Sequence, residues 1–306
     1  MREGSKKAIV AAFLANLGIA IAKTVGFIFT RSAGLLAEAG HSMADTGNQA
    51  LLLLGGRRAA RKADREHPFG YGRERYFWAF VVALVLFSMG GLFALYEGID
   101  KFRHPHETEN LLVAIGILVV AIGLETFSLL TALREARHVK TEGTSWWEFL
   151  HHAKSPELPV VLLEDLGAEI GLVLALAGVL AAHVTHDPRW DAAGSMGIGV
   201  LLVIIAIFLA IEMKGLLIGE SATGATEQAI VGAIESSPQV RGLIHLKTQH
   251  LGPDELLIGA KVDFNRDLDV RGLAAAVDEV EAAIRQAVPA ARVIYLEPDL
   301  RRQAPE

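Results

Sequence analysis

The stretch AEAGHSMADTGNQALLLLG, residues 37–55, decides the fold, because it is apolar enough to enter a membrane and still carries ionisable side chains. His41 and Asp45 are four residues apart, so a helix places both on one face. Charged side chains inside a bilayer face the protein interior and mark ion or proton pathways. The pair can bind one divalent cation, and the structural alternative is a hydrogen bond that joins two helices. Asn48 and Gln49 continue the same face.

This stretch belongs to one of six apolar segments, each near the roughly 20 residues that a spanning helix needs. The chain has 306 residues, of which 52% are hydrophobic, and its mean hydropathy is +0.36. These numbers predict a membrane α-helical domain over residues 1–214 and a polar C-terminal domain over 215–306. The predicted spans are 8–29, 33–55, 76–98, 111–132, 159–183 and 194–214.

Basic residues are concentrated in the loops after the second and fourth segments. The positive-inside rule therefore predicts that both termini are cytoplasmic. The N-terminal MREGSKK shows no transit-like leader, which favours a bacterial plasma membrane.

Composition excludes several other classes of protein. The absence of cysteine excludes a disulfide scaffold, a thiolate metal site and a cysteine nucleophile. The net charge of -6 does not favour a nucleic-acid partner, because nucleic-acid-binding proteins are usually basic. No glycine-rich phosphate loop is present, so no nucleotide or other prosthetic group is predicted.

The fifth segment, VVLLEDLGAEIGLVLALAG (160–178), contains Glu164, Asp165 and Glu169 and no basic residue. Asp165 and Glu169 share a helix face, whereas Glu164 points about 100° away. Ionised carboxylates in hydrocarbon must be hydrated, protonated or bound to a cation. With His41 and Asp45 they predict a shared cation site. One nitrogen with carboxylate oxygens favours Zn²⁺, and Mn²⁺, Fe²⁺ and Co²⁺ are the alternatives.

Other charged residues of the segments are predicted to have supporting roles. Glu97, Glu125 and Glu212 lie near segment ends, so we expect them to be interfacial or structural. Lys23 of the first segment is expected to snorkel or to pair with an acid.

The C-terminal domain is predicted to be α/β, with the order helix–strand–strand–helix–strand. This order suggests a small antiparallel sheet with helices on one face. The predicted elements are TEQAIVGAIESSP (226–238), GLIHLKTQHLG (242–252), ELLIGAKVDFN (255–265), VRGLAAAVDEVEAAIRQAVP (270–289) and ARVIYLEPD (291–299).

Several motifs together resemble the cation diffusion facilitator family, and the resemblance covers nearly the whole chain. It implies six transmembrane helices, a ferredoxin-like C-terminal cytoplasmic domain and proton-coupled export of zinc or related cations by a homodimer. Three motifs resemble the branch that includes zinc transporter nine and its bacterial relatives. The motifs are RSAGLLAEAGHSMADTGNQ (31–49), HPFGYGRERYFWA (67–79) and LLIGESA (216–222) for the family, and HSMADTGNQ (41–49), SWWEFL (145–150) and LPVVLLEDLGA (158–168) for the branch.

The resemblance implies a transport site on the second and fifth spans. His41 and Asp45 match the second-span pair, and Asp165 matches the aspartate of the fifth-span H-x-x-x-D pattern. The histidine of that pattern is replaced by Val161, so Glu164 or Glu169 would complete the site.

Some family members also bind zinc in the cytoplasmic domain. The nearest candidates here are His245 and His250, but their odd spacing places them on opposite faces of a strand. The tail is therefore expected to serve mainly as a dimer contact, and the HPFGYGRERY loop (67–76) to be structural or gating.

The sequence thus predicts a divalent cation efflux transporter, with zinc as the favoured cation and protons as the counter-ion, and no enzyme activity. One alternative is a metal-responsive membrane regulator that binds the cation without transporting it. An intramembrane metal hydrolase is disfavoured, because no separate residue is clearly placed as a general base.

Overall fold

A computed structural model describes residues 3–108, 110–140 and 143–301, together with their side chains except those of 3–15, 139 and 152. The chain forms two compact units. The first comprises Met1–Arg57 and Phe77–Lys214, and the second comprises Arg58–Tyr76 and Gly215–Glu306. The segment between the second and third predicted spans therefore belongs to the same unit as the C-terminal residues.

The first unit is helical, and each of the six predicted spans lies within long helical structure. Three segments, Glu74–Arg103, Leu111–His138 and Arg189–Ile218, are long and apolar enough to cross a membrane within the part of the chain described. The helices are α1 (Glu3–Thr30), α2 (Ala33–Ala59), α3 (Glu74–Val85), α4 (Phe93–Arg103), α5 (Leu111–Val139), α6 (Trp146–His152), α7 (Glu157–Thr185) and α8 (Arg189–Ile218), and a π-helix (Leu86–Leu92) joins α3 to α4.

The third span is less regular than the sequence predicts, because the π-helical segment LFSMGGL lies at its centre. This segment packs tightly against α8. A Cβ added at Gly91 would lie 2.7 Å from Cγ2 of Val203, and one added at Gly199 would lie 2.7 Å from the backbone nitrogen of Leu95. Both glycines are therefore required by the close approach of the helices.

The second unit contains a three-stranded sheet with α9 (Gly224–Glu235) and α10 (Val270–Ala287). Its strands, β1 (Val240–Gly252), β2 (Glu255–Phe264) and β3 (Ala291–Pro298), are ordered β1-β2-β3. β1 pairs antiparallel with β2, as expected, but β2 and β3 are parallel. The expectation of an antiparallel sheet was wrong for β3, because α10 forms a crossover that returns the chain to the same end of the sheet.

The loop with the HPFGYGRERY motif packs on the β1–β2 turn within this second unit. A Cβ at Gly72 would lie 2.7 Å from the carbonyl oxygen of Leu251, and Nη1 of Arg75 lies 3.1 Å from Oδ2 of Asp254. The hydroxyl of Tyr71 donates to Asp64 over 2.7 Å and lowers the pKa of that carboxyl. These contacts give the motif a structural role in the unit.

Candidate cation site

A small cavity of about 10 Å³ lies among α1, α2, α5 and α7, and four carboxylic acids line it. Asp45 comes from α2, Glu125 from α5, and Glu164 and Asp165 from α7. A cavity of this size has room for one water-sized species. Carboxylate oxygens are ligands that hard and borderline divalent cations accept, so the chemistry of this lining is compatible with such a cation.

On α2, His41 and Asp45 form the pair that their spacing predicts. Nδ1 of His41 lies 3.5 Å from Oδ1 of Asp45, and His41 is fully buried. Within the described part of the chain, neither ring nitrogen of His41 nor Oδ1 of Asp45 has a hydrogen-bond partner. Buried polar atoms are normally hydrogen-bonded, so these atoms have unused capacity for a ligand. The cavity wall includes Asp45 but not His41.

On α7, neighbours from two helices hold Glu164 and Asp165. Asn48 of α2 donates to Oε1 of Glu164 over 2.6 Å, and Ser128 of α5 donates to Oδ2 of Asp165 over 2.9 Å. Val161 lies in the cavity wall one turn before them. Val161, the position that the resemblance assigns to the histidine of the H-x-x-x-D pattern, therefore lines the cavity together with Glu164.

Glu169 has different surroundings. Its Oε1 accepts a hydrogen bond of 2.9 Å from Thr126 of α5, and it is not among the residues that line the cavity. Among the residues described, no three His, Asp or Glu side chains lie close enough together to hold a metal ion. The structure thus brings Asp45, Glu164 and Asp165 to one cavity and leaves His41 and Glu169 outside its wall.

Sequence reasoning missed two buried acids near the cavity. Glu125 was expected to be interfacial or structural, but it is 9% exposed and lines the cavity. Glu38 is fully buried and forms an ion pair of 3.1 Å with Lys23, which confirms that this lysine pairs with an acid. Glu38 lies three residues before His41 and therefore on the same face of α2, and this spacing could have identified it from the sequence.

The tail histidines differ in exposure. His245 is exposed, whereas His250 is 7% exposed. The pairing register of β1 shifts next to each of these histidines. Among the described residues of this unit, the two histidines nevertheless do not form a metal-binding group with a third His, Asp or Glu.

Two family models match this chain. The model described as the cation efflux transmembrane domain matches residues 9–218. The model described as the cation efflux protein cytoplasmic domain matches residues 222–299.

Curated relatives include the mitochondrial proton-coupled zinc antiporter SLC30A9 of Xenopus laevis, which is 34% identical over 86% of this chain and 47% of the relative. The chain therefore spans about half the length of that relative. The cation-efflux pump FieF of Cronobacter sakazakii is 28% identical over 95% of this chain and 91% of the pump. A solved structure of the MamM C-terminal domain is 22% identical, with a TM-score of 0.25, and covers 26% of this chain and 100% of that chain.

Proposed function

Because this chain belongs to the cation efflux family, we propose that it exports a divalent metal cation, with zinc as the favoured cation, in exchange for protons. The observation that carries the proposal is the cavity lined by four acids within the helical unit. Relatives named as proton-coupled zinc antiporters support zinc and the proton as the two ions.

The proposed ligands are Asp45, Asp165 and Glu164, with His41 as the nitrogen donor. Glu164 takes the role of the family histidine, because it lines the same cavity as Val161 and Asp165. Glu169 is the remaining candidate on α7, and its bond to Thr126 gives it a supporting position.

Exchange with protons follows from the chemistry of these ligands. A divalent cation needs ionised carboxylates and a neutral imidazole, so its binding displaces protons. Imidazole has an unperturbed pKa near 6.5, which suits a group that gains and loses a proton in each cycle. Reorientation of the helices would expose the site to the opposite side, where protons rebind and the cation leaves.

The proposed arrangement in the membrane places residues 1–214 in a bilayer and residues 215–306 in the cytoplasm. Basic loops after the second and fourth spans support cytoplasmic termini, and the chain is proposed to reside in a bacterial plasma membrane. The match of the tail to the cation efflux cytoplasmic domain supports a homodimer joined through that domain.

The test is metal flux into proteoliposomes under an imposed pH gradient. We expect zinc movement to follow the proton gradient and to be lost in Asp45→Asn, while Asp100→Asn, which changes an exposed acid paired with His104, keeps wild-type flux. Manganese, iron and cobalt are the comparison cations. Zinc binding without flux of any of these metals would favour the metal-responsive regulator instead.

A further inference from the structure

The ammonium group of Lys23 lies in a buried pocket of oxygen atoms. Its Nζ lies 2.8 Å from Oγ of Ser42, 3.1 Å from Oε2 of Glu38 and 3.5 Å from Oε1 of Glu125. Lys23 is 1% exposed and Glu38 is fully buried. Three helices, α1, α2 and α5, therefore converge on one positive charge that has no access to solvent.

This pocket shares its wall with the candidate cation site. Ser42 and Glu125 contact the ammonium group and also line the neighbouring cavity. Two carboxylates and a hydroxyl are oxygen donors of the kind that bind divalent cations in proteins. The ammonium group of Lys23 thus occupies a set of oxygen donors that could otherwise bind a free metal cation.

The lysine leaves part of this donor set unused. Oε1 of Glu38 is buried and has no hydrogen-bond partner in the described part of the chain. It faces Gly171 of α7, where any Cβ would collide with it. A buried carboxylate oxygen without a partner is costly, so Lys23 does not satisfy all the oxygen atoms around it.

We propose that Lys23 fills a second cation position, bounded by Glu38, Ser42 and Glu125, and so restricts loading of the transported cation to the cavity. A long ammonium side chain is a point charge that pairs with both acids and cannot leave. Removing it would leave two buried carboxylates without a counter-ion, and these would then bind a divalent cation. The inference rests on the proposed function for the transported cation and its loading in the cavity, whereas the second position itself rests on the contacts of Lys23.

The experiment measures zinc bound per chain by metal analysis after equilibrium dialysis of the full-length protein in detergent. We expect Lys23→Met to bind one more zinc ion per chain than the wild type. The matched controls are Lys23→Arg, which keeps the positive charge, and Lys23→Met/Glu38→Gln, which also removes one carboxylate. Both controls are expected to bind the same number of zinc ions as the wild type.

A folded Lys23→Met that binds no additional zinc overturns the proposal, and so does an additional ion in Lys23→Arg. If Lys23→Met is unstable without metal, the proposal predicts that zinc restores a monodisperse protein in size-exclusion chromatography. Failure of that rescue counts against it, since the open pocket should accept zinc as its counter-ion. Absence of zinc from the wild type itself contradicts the proposed function, which is a separate result.

Discussion

At the residue scale, Glu164 and Glu169 lie on the same helix, but different neighbours hold them. Glu164 accepts a hydrogen bond from Asn48 and lines the cavity, whereas Glu169 accepts one from Thr126 outside its wall. We expect Glu164→Gln to abolish zinc flux and Glu169→Gln to retain most of it, because only the first removes a carboxylate from the cavity. Flux in proteoliposomes checks the pair, and the reverse order of effects would assign the ligand role to Glu169.

Asn48 is expected to position Glu164. Loss of a residue that orients a metal ligand typically costs about 10–100-fold in metal affinity, so we expect a weakening of this size for zinc in Asn48→Ala. Thr131→Ala is the control, because that hydroxyl is exposed and bonds the carbonyl of Phe127 in its own helix. Isothermal titration of both variants measures the change, and unchanged affinity in Asn48→Ala would remove Asn48 from the positioning role.

At the element scale, the packing of α8 against the π-helix and α4 depends on positions without a side chain. A Cβ at Gly199 would lie 2.7 Å from the backbone nitrogen of Leu95 and 2.9 Å from the carbonyl oxygen of Gly91. Overpacking of this kind costs about 1–3 kcal/mol, so Gly199→Ala should lower the thermal midpoint in detergent. Gly116→Ala is the matched control, because its Cβ would meet open space. Equal thermal midpoints in the two variants would show that α8 and α4 can move apart without loss of stability.

Periodicity and charge predicted the helical spans and most of the tail, because these features depend on local sequence. The spacing of His41 and Asp45 predicted correctly that both lie on one face of α2, whereas their role as cation ligands stays a prediction. The parallel pairing of β3 follows from the predicted strand–helix–strand order, because a helical crossover returns the chain to the same end of the sheet, and the expectation of an antiparallel sheet overlooked this rule. The role of Glu125 depends on which helices pack around α5, and helix packing of this kind cannot be inferred from a single sequence.

At the scale of the whole helical unit, Asp191 at the start of α8 connects segments that are far apart in the sequence. Its carboxylate pairs with Lys101 at the end of α4 over 2.7 Å, and both side chains are fully buried. It also accepts hydrogen bonds from Ser32, from the backbone nitrogens of Ala33 and Gly34, and from Thr108. One carboxylate thus caps the N-terminus of α2 and holds the α1–α2 connection to α4 and α8.

Breaking this buried pair should destabilise the whole unit. Removal of one partner from a buried ion pair costs about 3–5 kcal/mol, because the other charge is left uncompensated. We therefore expect Asp191→Asn to lower the thermal midpoint strongly, and Lys101→Met/Asp191→Asn to recover part of the loss, because the double variant buries no unpaired charge. Asp187→Asn is the control, since Asp187 bonds the exposed backbone nitrogen of Arg189. A double variant no more stable than Asp191→Asn would mean that the caps of α2, and not the ion pair with Lys101, carry the stabilisation.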